Sequence, residues 1–390
     1  MAVNNLQITD IYQILNALHS QATGRNAVAP VNTSEFVSMA TATLAAGTDP
    51  VYNAMMQMVG RTIYSVRPYD RKFDITRTSD EYGAIKRKIS YGDKDLQSAS
   101  PAWTPVDGAT VDPWIINKTP VLETHFYGSA VYQDTVTHFE DQIKVAMSSP
   151  AELGSFLSGE MTHLSNKYEQ WLEEQNRAAV ANFIGAKYAK NDQNSIIHLI
   201  TEYNGLTNAG LTQQTAFAPG NIEPFFRWVR ARINTLSRMM SERSAMFQEQ
   251  IGTYQINRHT PAEFQKIYLR SDALDIIDAM VNTVTYHDEP LAYADVQGVS
   301  YWQGINQPDE INVTPSSIDS TGAVITESAQ NVTKIFGLMF DRDAIASNIY
   351  MYQTNTTPLN PRGLYYNTVL NARLQYLNDL TEKAIILLLD

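Results

Sequence analysis

One stretch, from Ser149 to about Ile184, restricts the possible folds of this chain more than any other. Ser149-Pro150-Ala151-Glu152 is a helix start. The Ser149 hydroxyl can cap a free backbone N–H, Pro150 suits the first turn, and Glu152 can reach back to close a capping box. Apolar residues then recur at helical spacing through Leu153, Phe156, Leu157, Met161, Leu164, Tyr168, Trp171, Leu172, Ala179, Val180 and Phe183. Glu160, Lys167, Glu169, Glu173, Glu174 and Arg177 fill the polar side. At 1.5 Å per residue such a helix spans about 50 Å, several times the usual helix of about 12 residues. The stripe shifts face along its length, which predicts different packing partners at its two ends. A plain buried helix of a large domain fits the same pattern, so the flanking chain has to decide.

The 390 residues suffice to bury a large core and predict two or three structural units. A net charge of −12 argues against a protein that grips nucleic acid, because affinity for phosphate comes from Lys and Arg. With no cysteine, disulfides and thiolate metal sites are excluded. No apolar run approaches the roughly 20 residues of a membrane span. The N-terminus lacks the basic region and apolar core of a signal peptide, so a cytosol-made protein is expected.

Residues 1–60 hold only four formally charged side chains: Asp10, Arg25, Glu35 and Asp49. This reads as an arm with short helices, at Ile8–Leu18 and near Val51–Val59, laid on the rest of the molecule or on a neighbour. A simple N-terminal subdomain fits equally well. From Ile63 to Tyr132 the period changes to two, with strands at Ile85–Tyr91 and Val121–Tyr132 around a Pro/Gly/Asp-rich stretch carrying Trp103 and Trp114. A two-stranded excursion of this kind is marginal in water and needs another surface to lie on. A solvated hairpin with its indoles tucked home is the alternative.

Beyond the long helix, Asn191–Gly220 is polar and rich in turn formers. Glu223–Gln248 is helical, with Phe225, Phe226, Val229, Ile233 and Leu236 opposed to Arg227, Arg230, Arg232, Arg238 and Arg243. With Glu242 and Glu249 interspersed, this basic face reads as solvated or as an interchain ion-pair surface. Thr260-Pro261-Ala262-Glu263 repeats the capping-box signature and predicts a third helix to about Val281. Strands are predicted at Lys334–Phe340, Ile349–Tyr352 and Thr368–Leu377. The run Ala384–Leu389 belongs in the middle of a sheet, since left exposed it would aggregate.

Catalytic signatures are missing. There is no phosphate-cradling glycine loop, no His-Glu-x-x-His and no Gly-x-Ser-x-Gly. His287-Asp288-Glu289 reads as a surface loop and Asp341-Arg342-Asp343 as a helix cap with an ion pair. No catalytic residue, cofactor site or metal site is assigned.

Taken together, the order is an uncharged arm, a projecting ribbon, a spine-like helix, a mixed middle and a C-terminal strand set. It resembles the major capsid proteins of tailed double-stranded DNA bacteriophages, the Hong Kong 97-type α+β fold. Tyr301-Trp302-Gln303, Ile311-Asn312-Val313-Thr314-Pro315 and Ile335 through Ile345 are similar to the C-terminal half of such coat sequences. So are Thr357-Pro358-Leu359-Asn360-Pro361 and the ending Asn378-Asp379-Leu380-Thr381-Glu382-Lys383-Ala384-Ile385-Ile386-Leu387.

The resemblance implies an N-terminal arm at 1–63, an extended β-ribbon loop with flanking strands at 64–132, and a peripheral domain with spine helix at 133–190. An axial domain at 191–333 follows, then C-terminal strands at 334–390 that mostly return to the peripheral domain. It implies pentamers and hexamers in an icosahedral head, a separate scaffolding protein, a portal, and room for a decoration protein. Packaged DNA would be touched only weakly and without specificity, no membrane is involved, and the place is the virion, assembled in host cytoplasm. Candidate intersubunit contacts are Arg71, Lys72, Arg87, Trp103, Trp114, Arg230 and Arg238. An encapsulin-like nanocompartment shell is the second reading and a cytosolic hydrolase the third.

Overall fold

The computed structural model describes residues 8–24, 29–45, 47, 50–51, 54, 73–79, 86–92, 107, 114, 116, 118, 121–126, 130–190, 194–243, 248–251, 254–284, 295–318 and 323–390. Two short helices come first, α1 (Ile8–Thr23) and α2 (Thr33–Leu44). Then follow strands β1 (Thr76–Ser79), β2 (Lys86–Tyr91), β3 (Val121–Phe126) and β4 (Ala130–Phe139), and the short helix α3 (Glu140–Ala146).

The long helix, α4, runs from Pro150 to Ala189, 40 residues. It begins at the expected place, with Pro150 in its first turn and the Ser149 side chain accepting a hydrogen bond from the Glu152 N–H at 3.3 Å. It continues five residues past the expected end, since Ala186 and Lys187 are buried there too. As the shifting stripe foretold, its two ends pack on different neighbours. Leu153 and Leu164 meet α1, α2 and α3 around Ile11, Leu15, Phe36 and Ile143. Tyr168 and Leu172, in the middle, lie on Ile349, Ala372 and Leu374. Val180, Phe183 and Ile184 join a core with Tyr268, Trp302, Leu338 and Ile386. The arm therefore lies on its own molecule.

Downstream come β5 (Ile196–His198), α5 (Leu199–Thr207), α6 (Gln213–Ala216), α7 (Ile222–Ser241), β6 (Gln248–Ile251) and β7 (Tyr254–Asn257). Next are β8 (Gln265–Arg270), α8 (Ser271–Val284) and β9 (Asp295–Val299). Four short strands follow: β10 (Ile311–Val313), β11 (Ser316–Ile318), β12 (Val324–Thr326) and β13 (Gln330–Val332). The last are β14 (Ile335–Asp341), β15 (Ile345–Thr356), β16 (Tyr365–Asn378) and β17 (Ala384–Leu388). A five-stranded sheet has the order β5-β17-β14-β8-β9 and a four-stranded sheet the order β1-β15-β16-β4. The last four strands thus divide evenly between the two sheets.

Every residue of β14 and of β17 is buried, because one sheet face is covered by α4 and the other by α5, α7 and α8. A strand covered on both sides reads as an unbroken apolar run, which is why Ala384–Leu389 sits inside the sheet as expected.

Four expectations need correction. Thr260-Pro261-Ala262-Glu263 opens one 3-10 turn, Ala262–Phe264, and the chain then becomes β8. Pairing with β14 on one side and β9 on the other outweighs a local helix signal, and the helix starts only at Ser271. The arginine-bearing helix ends at Ser241, and Gln248 is already in β6, paired with Asn257. Val121–Tyr132 is not one strand: β3 pairs with β2, while β4 pairs with β16 in the other sheet. Asp341-Arg342-Asp343 caps no helix but turns β14 into β15, with Asp341 Oδ1 accepting from the Asp343 N–H at 2.9 Å.

Candidate functional site

The ribbon of β2 and β3 is fully paired from Lys86 opposite Phe126 to Tyr91 opposite Val121. Period-two geometry sorts its side chains into two faces. Arg87, Ile89 and Tyr91, with Val121, Glu123 and His125, point outward, and Lys86, Lys88 and Ser90 turn inward. Arg87, Ile89 and Tyr91 share one side, as the period of two dictates, and that side is the solvent side. Ile89 is 47%, Tyr91 68% and Val121 52% exposed, and Trp114 and Ile116 reach 85% and 83%. Glu123 bridges Arg87 at 3.3 Å and His125 at 3.1 Å across this outer face. Such exposed pairs add little stability, so the apolar side chains dominate what this face can do.

The inner face is held by charge. Lys88 Nζ lies 2.8 Å from Asp379 Oδ2 and 2.6 Å from Glu382 Oε1. Arg258 supplies a second cation, 3.0 Å from Glu382 Oε1. Its guanidinium also donates to the Thr381 hydroxyl at 2.7 Å, to the Thr381 carbonyl at 3.2 Å and to the Ser90 hydroxyl at 3.3 Å. Asp379 Oδ1 accepts from the Thr381 N–H and hydroxyl at 2.9 and 2.6 Å. Gln375 Nε2 donates to the Phe126 carbonyl at 2.7 Å, tying down β3 as well. The root of the ribbon therefore rests on its own body through the turn between β16 and β17.

Burial works against the charge of Asp379, yet Lys88 and the two bonds from Thr381 hold its carboxyl below the usual range. Burial likewise opposes the Lys88 charge, and Asp379 and Glu382 together push its pKa above the ordinary lysine value. Next to them, burial leads in raising the Asp341 carboxyl, with Glu382 adding to it.

Of the candidate contacts, Arg87 and Trp114 lie on exposed parts of the ribbon segment, while Arg71, Lys72 and Trp103 fall outside the described residues, as does His287-Asp288-Glu289. Arg230 is half-buried and Arg238 exposed on α7, whose apolar face packs on the five-stranded sheet. Neighbouring arginines of α7 are ion-paired: Arg227 with Glu223 at 2.7 Å, and Arg232 with Glu202 through bonds of 2.7 and 2.9 Å. Sequence reasoning missed Lys88, Arg258, Asp379, Thr381 and Glu382. The available signal was a dense polar turn placed directly before a wholly apolar strand.

Among the described residues no three His, Asp or Glu side chains gather as a metal site, and no helix is long and apolar enough to cross a membrane. A groove of about 530 Å³ runs beside Glu173, Arg177, Tyr301 and Ile305, and one of about 500 Å³ beside Asp141, Val145, Glu152 and Phe156. Neither brings together an acid–base pair with a nucleophile.

Residues 13–388 match the family model described as Phi29-like phage major capsid protein. No curated protein matches the chain. A chain in the capsid structure of Staphylococcus phage Andhra is similar over 81% of this chain and 83% of its own, at 11% identity and a TM-score of 0.51. One from the head fiber and inner core protein structure of bacteriophage P68 covers 80% and 83%, at 9% identity and 0.49. One from the capsid of Cyanophage P-SCSP1u covers 83% and 90%, at 12% identity and 0.43. The likeness to the Andhra capsid chain shows the fold alone, an α+β capsid type.

Proposed function

Because the chain belongs to the Phi29-like phage major capsid protein family, a structural, non-enzymatic coat protein of the virion, we propose that the outer face of its ribbon docks on a neighbouring copy in the shell. The observation that carries this is the exposure of Ile89, Tyr91 and Val121 on a paired strand face whose other side is already anchored. A coat subunit must present apolar and ionic patches for its neighbours to bury, and symmetry then multiplies many modest contacts into a closed container. Arg87 and Trp114 belong to this contact. Arg71, Lys72 and Trp103 extend it, and Arg230 and Arg238 serve a second edge.

The copies form pentamers and hexamers of an icosahedral head around packaged double-stranded DNA. The partners are a separate scaffolding protein and a portal, with a decoration protein as a further one. The net charge of −12 keeps DNA contact weak and non-specific. Residues 1–63 act as arm, 64–132 as extended loop with flanking strands, 133–190 as the peripheral domain with the spine helix, 191–333 as the axial domain and 334–390 as C-terminal strands that mostly return to the peripheral domain. The nanocompartment and hydrolase readings are not favoured by a family of phage coat proteins.

The test is Ile89→Asp combined with Tyr91→Asp. The variant should stay folded by circular dichroism and form no closed shells in electron micrographs. Normal shells would refute the docking assignment.

A further inference from the structure

Ordinary burial would turn Ile89, Tyr91 and Val121 toward the body and leave the lysines in water. The ribbon does the reverse. Strand geometry gives it only two ways to lie, because every side chain changes face together. Turning it over would carry Lys88 into solvent and take from the buried carboxylates of Asp379 and Glu382 the ammonium that contacts both of them. An uncompensated buried charge is strongly unfavourable. It would also separate Ser90 from the Arg258 guanidinium.

We infer that Lys88 is the positioning residue that keeps the apolar face of the ribbon outward, so that the turn Asp379–Glu382 decides whether a subunit presents a docking face at all. This rests on the proposed docking role for its consequence, but the orientation itself belongs to the single chain. Without the lysine, the ribbon is free to roll over and bury Ile89 and Tyr91 on its own molecule, producing a folded subunit with its contact surface hidden. Arg258, Thr381 and Asp379 form the preset half of the latch, already bonded to one another before the ribbon is considered.

The chain has no cysteine, so single thiols report on each face without background. Ile89→Cys and Ser90→Cys are made separately and their reaction with a maleimide is timed in unassembled full-length subunits. With Lys88 present, the thiol at 89 should react at least about tenfold faster than the one at 90. Lys88→Met should bring the two rates together or reverse them, and Lys88→Arg should keep them apart. An unchanged ratio in Lys88→Met overturns the inference. If Lys88→Met does not fold, Glu382→Gln with Asp379→Asn must narrow the ratio in its place, and failure to do so overturns it equally. Assembled shells separate the two ideas. A thiol at 89 that reacts as fast in shells as in subunits sinks the docking assignment while leaving the orientation result standing.

Discussion

Gly185 of the long helix and Val313 of β10 approach so closely that a Cβ on the glycine would lie 2.6 Å from the valine Cγ1 and 3.3 Å from Pro315. At the other end of the same helix, Gly154 makes room for Ile11 of α1, with a built Cβ 2.7 Å from the Ile11 Cδ1. Glycine inside a helix costs about 1 kcal/mol relative to alanine, so both positions give up helix stability for close packing. Gly159, between them, meets nothing within 4 Å.

Three alanine substitutions on one helix should therefore part company. Gly159→Ala should stabilise the subunit by up to about 1 kcal/mol. Gly185→Ala should destabilise it by about 1–3 kcal/mol through overpacking, and Val313→Ala should recover part of that loss. Gly154→Ala should loosen α1 first. Urea denaturation of unassembled subunits, with hydrogen exchange over residues 8–23, checks all three.

Arg177 lies between two rings, 4.8 Å from the Phe73 centroid and 3.8 Å from the Tyr301 centroid, and its guanidinium is 2.7 Å from Glu173. It also donates to the Tyr301 carbonyl. Arg177→Met removes the cation from a buried pair and should cost about 3–5 kcal/mol. Arg177→Lys keeps the charge but not the planar stack, and should remain about 1 kcal/mol below wild type by denaturant midpoint.

The ribbon latch should ignore pH over a wide window. Asp379 is depressed in the folded chain, so its contribution is complete above the ordinary carboxylate value and disappears as pH falls through its lowered one. Lys88 is raised, so its contribution is complete below the ordinary lysine value and is lost as pH climbs through its higher one. Protection factors of β2 amides, corrected for intrinsic exchange, should stay flat from about pH 5 to 9 and fall on both sides. A break near pH 6–7 would contradict this.

Asp341 has the opposite sign. Its folded pKa is raised, chiefly by burial, so the ionised form opposes folding at neutral pH. Asp341→Asn keeps an oxygen to accept from the Asp343 N–H and should raise Tm at pH 7. The gain should vanish once the pH falls below the ordinary carboxylate range, because both chains are then neutral there. Scanning calorimetry at the two pH values reads the difference.

Deleting Asp93–Thr119 should leave a soluble, folded subunit that closes into no particles, since both sheets lie outside the deleted segment. Shells of normal appearance from this deletion would remove the excursion from the list of assembly contacts.

Much of the architecture was already written locally. The cap at Ser149, the shifting stripe of α4 and the unbroken apolar run of β17 each follow from backbone geometry and one-sided or two-sided burial, which act over a few neighbouring residues. So do the alternating faces of β2. Residues whose role depends on distant partners were hidden. Gln265–Arg270 looked like the start of a helix and became a strand because β14 and β9 offered it hydrogen bonds on both edges. Leu199, Ile200 and Tyr203 sat in what read as a polar connector and proved to be core, because the five-stranded sheet supplied a face for α5. Gln375, alternating as a solvent residue should, is buried with its amide on the Phe126 carbonyl.

By itself the order of residues determined the long helix with its cap at Ser149 and which side chains of the ribbon share a face, because those depend on short-range sterics and periodicity. Only the tertiary structure decided which ribbon face meets water. Lys88 lies almost 300 positions before Asp379 and Glu382, and no local rule joins charges so far apart along the chain. Their pairing exists because folding removes two carboxylates from water and brings the Lys88 ammonium within 2.8 Å of both.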